Sequence, residues 1–325
     1  MGLVHRRIAV LTSGGDAPGM NAAIRSVVRC AAEAGIETVG VRDGYAGLAQ
    51  RKFEDLTIRS VGGILHRGGT VLGSARFPDF CEAAVRERCI ESLSDAAIDG
   101  LVVIGGNGSQ RGAHALHQQG FPTVGIASTI DNDLAGTDIT IGVDTALNTA
   151  VRWIDQIKDT ATSHHRAFVV EVMGRDSGYL AVMAAIATGA ELAMVPEQET
   201  SVEAIAGLVR TSYASGRGHY IIVVAEGAKL KAHDLVTQLN EHPSGFEARL
   251  SVLGHVQRGG SPSIADRVLG SQLGAAAVAA LAAGQSGVVA GRVDGKTALL
   301  PGEMVIMPCQ KVTAELLQLA AALAQ

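Results

Sequence analysis

Two carboxylates stand two positions apart in the segment Thr123-Val-Gly-Ile-Ala-Ser-Thr129-Ile130-Asp131-Asn132-Asp133, where a short apolar strand runs into a polar turn. Carboxylates at i and i+2 of extended or turning backbone point into different parts of one pocket. One then takes a proton while the other steers a metal ion or a neighbouring donor. Asx-rich turns also end strands without doing chemistry, so this segment alone leaves both readings open.

Two further strand ends bear on phosphate chemistry. In Leu11-Thr-Ser-Gly14-Gly15-Asp16-Ala-Pro18-Gly19-Met-Asn21 a strand is followed by paired glycines and a helix start, so bare N–H groups and a helix dipole face one point and favour an anion. In Leu101-Val-Val-Ile-Gly105-Gly106-Asn107-Gly108-Ser109 glycines after a buried strand let a nucleotide or diphosphate approach the backbone closely. Neither string is G-x-G-x-x-G or G-x-x-x-x-G-K-[ST], which argues against a dinucleotide fold or a Walker-type loop. Three such turns at the carboxyl ends of strands are expected to surround one crevice, where ligands bind in open α/β sheets.

Arginines supply the matching positive charge. Gly73-Ser-Ala-Arg76-Phe77, His165-Arg166, Met173-Gly174-Arg175 and His255-Val-Gln-Arg258-Gly-Gly260 set Arg or His beside glycine or near a strand end, giving forked donors for phosphate oxygens. His164, His165 and His255 show no metal-binding spacing, and no G-x-S-x-G elbow supports a serine nucleophile.

The 325 residues are enough for about two domains with substantial cores. Hydrophobic residues make up 47% and aromatics only 3%, with 40 glycines, so the cores are built from Ala, Val, Ile and Leu, an α/β profile. Mean hydropathy is +0.24, yet no uncharged apolar run reaches the roughly 18 to 20 residues of a membrane span. The N-terminal residues lead directly into a strand with no cleavable signal, and the expected location is the cytoplasm. Cys30, Cys81, Cys89 and Cys309 lack C-x-x-C pairing and read as free thiols. A net charge of -5 argues against non-specific binding of nucleic acid.

Apolar runs of strand length alternate with helical periodicity, which predicts mostly parallel sheets covered by helices. Strands are expected at 7–12, 37–41, 101–105, 123–127, 167–172, 192–195, 219–225 and 250–254. Helices are expected after Pro18, through Leu147 to Ile157, and at 178–188, 201–215, 232–240, 262–283 and 313–324. A small hairpin is expected around Val293-Asp294-Gly295. With no linker visible, the domains must share strands or cross over, with boundaries near 140 and 254.

The strings LTSGGDAPGMNAAIR, RGGTVLGSARF, TIDND, VVEVMGR and LGHVQRGG, in that order across nearly the whole chain, closely resemble the bacterial 6-phosphofructokinases. The resemblance implies two three-layer αβα domains, phosphofructokinase-like: residues 1–140 with 255–310 for the phosphoryl donor, and 141–254 for the sugar phosphate. The helix 312–325 would pack near their junction. It also implies a homotetramer that transfers the γ-phosphoryl of ATP to the 1-hydroxyl of fructose 6-phosphate with Mg²⁺, with no membrane or nucleic-acid partner.

Carried over residue by residue, Asp131 resembles the general base and Asp133 lies beside it near the metal. Thr129 and Arg175 resemble the groups that stabilise the moving phosphoryl. Gly14, Arg76, Phe77, Gly106, Asn107, Gly108 and Ser109 resemble the nucleotide site. Met173, Gly174, Glu226, His255 and Arg258 resemble the sugar-phosphate site, with Arg166 and Arg249 matching arginines given by a neighbouring subunit. Arg25, Arg29, Lys158, Glu191, Arg217 and His219 partly match an effector site, although Lys158 stands where arginine is usual.

Two departures stand out. Asn107 replaces a carboxylate associated with Mg²⁺, and an amide oxygen is a weaker ligand for a hard cation; Asn107 and Asp133 are the expected metal-side pair. Ala127-Ser128 replaces Pro-Gly before TIDND. Pyrophosphate-using relatives tend to carry Asp at the position of Gly108 and Lys at that of Ser128, and this chain has neither, which favours ATP. A pyrophosphate-dependent enzyme and a non-catalytic sugar-phosphate or nucleotide sensor are the alternatives.

Overall fold

The computed structural model describes residues 6–241, 246–309 and 311–324. In chain order the elements are β1 (Arg7–Ser13), α1 (Met20–Glu33), β2 (Glu37–Val41), α2 (Gly44–Ala49), β3 (Phe53–Leu56), α3 (Ala83–Asp95), β4 (Gly100–Gly105), α4 (Asn107–Gln118), β5 (Thr123–Ala127) and α5 (Val143–His164). There follow β6 (Arg166–Val172), α6 (Tyr179–Thr188), β7 (Leu192–Met194), α7 (Val202–Ala214), β8 (Tyr220–Ala225), α8 (Ala232–Glu241), β9 (Glu247–Val252), α9 (Ile264–Ala282), β10 (Val288–Val293), β11 (Lys296–Pro301), α10 (Gly302–Val305) and α11 (Ala314–Leu323).

The chain divides into two compact units, the described residues of Met1–Thr145 with Arg258–Cys309, and those of Ala146–Gln257 with Gln310–Gln325. The division falls after Thr145 and Gln257 rather than near 140 and 254, so His255 belongs with the second unit and Arg258 with the first.

Among its described residues the first unit holds a sheet of order β11-β10-β5-β4-β1-β2-β3, parallel except at its two edges. Its central strands β1, β4 and β5 are buried at every position but Arg7 and mostly apolar, as suits strands covered on both faces. One face packs Leu11, Val41, Leu101 and Val103 against Tyr45 and Leu48 of α2, Val85 and Leu93 of α3 and Leu116 of α4. The other face is covered by α1 and α9, which pack on each other and on the sheet. Those two helices meet through glycine: a Cβ at Gly270 would stand 2.8 Å from the Gly19 carbonyl, and one at Gly274 would stand 2.8 Å from that of Ala23.

β1, β4 and β5 are neighbours in register, with Ser13 opposite Gly105 and Gly105 opposite Ala127. The three turns singled out in the sequence therefore leave the sheet side by side.

The second unit has a parallel sheet of order β7-β8-β6-β9. Val169, Ile222 and Val224 pack against Ile205 and Val209 of α7 and Leu235 of α8, while α6 lies against β7 and β8, and α11 against α6 and β7. Val172 is opposite Ala225 and Glu171 opposite Val252, so the turns after β6, β8 and β9 also emerge together.

Three differences from the sequence reading have physical causes. β3 is a half-polar edge strand of sequence FEDL and carries no apolar run. α4 begins inside a glycine turn, where helix propensity is low. β9 runs over Glu247–Val252 rather than 250–254, because an exposed edge strand tolerates the charges of Glu247 and Arg249. The hairpin β10-β11 turns at Asp294 and Gly295, both at positive φ, as expected there. α9 is long and apolar enough to cross a membrane by composition alone, but half of it is buried inside the fold and it carries Asp266, as a core helix does.

Candidate active site

The turn after β5 alternates strictly. Ile130, Asn132 and Leu134 are buried, whereas Thr129, Asp131 and Asp133 are half-buried on the opposite side. Asn132 makes this arrangement hold. It sits at φ 49°, a left-handed conformation that Asn tolerates better than most residues. Its amide nitrogen donates to the Asp138 carbonyl at 3.2 Å, and its oxygen accepts from the Thr140 amide at 3.1 Å. Thr140 Oγ1 donates to the Thr129 carbonyl at 2.6 Å, and the Asp131 amide donates to Thr129 Oγ1 at 3.2 Å. Replacing Asn132 by alanine takes its partner from the buried Thr140 amide and from the Asp138 carbonyl, and keeps the positive φ. We expect about 2 to 3 kcal/mol less stability in denaturant titration; a loss under about 0.5 kcal/mol would show that the turn is held by other means.

Bare backbone surrounds this turn. Gly14 lies at φ +83°, and a Cβ there would stand 3.2 Å from Ser109 Oγ. A Cβ at Gly105 would stand 2.5 Å from both Ser109 Oγ and the Ser13 carbonyl, so glycine is required where the ends of β1 and β4 meet. The Ser109 hydroxyl is buried with no hydrogen-bond partner, in the first turn of α4, whose amides and dipole favour an anion. Tyr45 donates to the Ser109 carbonyl at 2.7 Å, and its ring stacks on Phe80 at 3.9 Å, which fixes this turn from beneath. Phe77 packs against the same core cluster while Arg76 is exposed. The Arg258 guanidinium lies over Gly15 and donates to the Asp16 carbonyl at 3.1 Å.

Asn107 opens α4 and turns its amide nitrogen onto Asp133, 2.6 Å from Oδ2 and 3.2 Å from the main-chain oxygen. Among the described residues no three His, Cys, Asp or Glu gather as a metal site. Asn107 and Asp133 are thus brought together as donor and acceptor, an arrangement that does not fit a metal ion shared between two oxygens.

Asp266 is the residue that sequence reading missed in this unit. Buried in α9, it accepts from the Gly142 amide at 2.7 Å, the Thr145 amide at 2.8 Å and Thr145 Oγ1 at 2.5 Å, tying the return of the turn and the start of α5 to α9. Burial raises its pKa, against those hydrogen bonds. A carboxyl whose folded pKa is raised stabilises the fold at pH below its unfolded pKa and loses that contribution as pH rises through the folded pKa. Thermal melts should therefore show the wild type losing ground to Asp266→Asn as pH rises from about 4. The opposite trend would mean that the carboxylate is the favoured form.

In the second unit the turn after β6 carries Met173 and Gly174, both buried, and Arg175, which is exposed and paired with Asp176 at 3.2 Å. Gly174 has φ +128°. The Met173 amide donates to Oε1 of buried Gln257 at 2.7 Å, and the Gly227 amide donates to the Gly174 carbonyl at 3.0 Å. Glu226 follows β8, half-buried, and its carbonyl accepts from Lys231 at 2.8 Å. Burial and the Glu226 charge together raise the pKa of Glu171, a second carboxyl near this turn. Gln257 lies within LGHVQRGG, and nothing in that string sets it apart from its neighbours.

Arg166 and Arg249 share one partner, Glu247, at 3.2 and 2.5 Å, while His255 is exposed. Of the residues matched to an effector site, Arg217 and His219 lie 3.6 and 3.9 Å from nearly buried Glu191. Lys158 donates to the Thr188 carbonyl. Arg25 and Arg29 lie one helical turn apart on α1, in the other unit.

Residues 7–281 match the family model for phosphofructokinase. The chain is 54% identical to the ATP-dependent 6-phosphofructokinase of Lysinibacillus sphaericus, over 88% of this chain and 89% of that protein. It is likewise 54% identical to that of Bacillus cereus strain AH187, over 90% and 91%. Among solved structures, phosphofructokinase from Saccharomyces cerevisiae superposes with a TM-score of 0.85 at 36% identity, covering 93% of this chain, which spans less than half (45%) of the yeast chain. A pyrophosphate-dependent phosphofructokinase from Marinobacter aquaeolei, 21% identical with a TM-score of 0.87 over 95% of this chain and 86% of its own, shares the fold. The identities and the family model, on a fold with three aligned strand ends, lead to one conclusion: this chain belongs to the phosphofructokinase family.

Proposed function

We propose that this chain transfers the γ-phosphoryl group of ATP to the 1-hydroxyl of fructose 6-phosphate, giving fructose 1,6-bisphosphate and ADP, as a glycolytic enzyme of the cytoplasm. One observation carries this reading: Thr129, Asp131 and Asp133 share the half-buried side of the turn after β5, next in the sheet to the bare glycine ends of β1 and β4. Asp131 takes the proton of the attacking hydroxyl. The oxygen bonds to the γ-phosphorus, the bond to the β,γ-bridging oxygen breaks, and ADP leaves with that electron pair. Thr129 and Arg175 meet the charge on the moving group.

In this reading the first unit is the phosphoryl-donor domain, with Gly14, Arg76, Phe77 and Gly106 to Ser109 on the nucleotide. The second is the sugar-phosphate domain, with Met173, Gly174, Glu226 and His255 on the sugar. Arg258, although it belongs to the first unit, is assigned to the 6-phosphate. Mg²⁺ comes bound to the ATP phosphates, where it neutralises charge. The enzyme is a homotetramer in which Arg166 and Arg249 serve a neighbouring subunit's substrate, and Arg25, Arg29, Lys158, Glu191, Arg217 and His219 take an anionic effector. The support is the 54% identity to ATP-dependent enzymes over about nine-tenths of the chain. A coupled assay with ATP, Mg²⁺ and fructose 6-phosphate tests it. Turnover with pyrophosphate and none with ATP would overturn the choice of donor.

A further inference from the structure

The side-chain amide of Asn107 is turned to donate to the Asp133 carboxylate. The nitrogen of Asn107 faces Asp133 Oδ2 at 2.6 Å, the arrangement in which an amide donates to a carboxylate oxygen. The same amide also holds the Asp133 main-chain oxygen, so it fixes both ends of the residue. Asn107 is the first residue of α4, a twelve-residue helix whose opening N–H groups add positive potential beside the carboxylate. Each of these features stabilises the Asp133 carboxylate where it stands. A hard divalent cation wants several oxygen ligands, and among the described residues no three His, Cys, Asp or Glu gather where they could hold one.

We propose that Asn107 is a positioning residue that clamps Asp133 and keeps the turn from holding a divalent cation by itself. The clamp stands whether or not the phosphofructokinase reading does, since it concerns the protein without nucleotide. Exchange of the amide for a carboxylate reverses its sign: two carboxylate oxygens then face each other across the same gap, and a divalent cation relieves their repulsion.

Mn²⁺ alone, a paramagnetic stand-in for Mg²⁺, is titrated into the full chain without nucleotide and followed by electron paramagnetic resonance. Wild type is expected to show no saturable binding up to about 1 mM, whereas Asn107→Asp should bind at least about tenfold tighter and melt at a higher temperature with Mn²⁺ than without it. Wild-type binding as tight as that of the variant, or a folded variant with no gain, overturns the proposal. If Asn107→Asp does not fold, the wild type decides alone: saturable Mn²⁺ binding or Mn²⁺-dependent melting without nucleotide sinks the clamp. Failure to bind Mn²⁺ together with ATP would count against the kinase reading and leave the clamp intact.

Discussion

Replacing Asp131 by alanine is expected to lower kcat by about 10² to 10⁴-fold, the range lost when a general base is removed. That is roughly 3 to 5.5 kcal/mol of transition-state stabilisation. The geometry makes this a chemical rather than a structural change. Asp131 is held through its own amide by Thr129 Oγ1, and the residues that fix the turn are Asn132 and Thr140, whose side chains are buried. The melting temperature should therefore stay near that of the wild type while turnover falls. Asp131→Asn keeps the shape and removes the basicity, so it should lose nearly as much as the alanine variant. The KM for ATP should hardly move, because the glycine ends of β1 and β4 are untouched. A kcat within about threefold of wild type in both variants would remove Asp131 from the base role.

Much of this site was legible in the sequence because the positions concerned obey local rules. A buried parallel strand must read as a continuous apolar run, and the turn that follows must be glycine or Asx, so β1, β4 and β5 and their exits stand out. That the three exits lie side by side is a property of strand order and register, which no local pattern encodes. The residues missed act over long sequence distances: Asp266 reaches Gly142 and Thr145 across more than a hundred positions, and Gln257 reaches Met173 across 84. A lone buried Asp in an apolar helix or a Gln in a glycine-rich loop has no period and no partner nearby in sequence. Asn107 was visible as an anomaly, but an amide can donate or accept, and its partner had to be seen to decide which.

The second large effect belongs to a glycine with no chemistry of its own. A Cβ on Gly227 would stand 1.8 Å from the Arg175 carbonyl oxygen and 2.9 Å from that of Gly174. Carbon and oxygen in contact need about 3.3 Å, so the two segments must part by roughly 1.5 Å. Both obstacles are backbone, and no rotamer change relieves them. The Gly227 amide also donates to the Gly174 carbonyl, and on its other side the turn is held by Gln257 and by the positive φ of Gly174. The strain of Gly227→Ala therefore falls on the carbonyl of Arg175, the residue assigned to the transferring phosphoryl. A displacement of about 1 Å at such a group is enough for a 10²-fold loss, so kcat/KM for fructose 6-phosphate should fall by about that factor while the KM for ATP changes little. Gly207→Ala is the control: it lies in α7, a Cβ there meets nothing within 4 Å, and alanine should leave kinetics unchanged while stabilising the helix by up to about 1 kcal/mol. Equal kinetics for the two variants would mean that the Gly174 and Arg175 turn adapts without loss, and that Arg175 need not be held where it stands for the reaction to proceed.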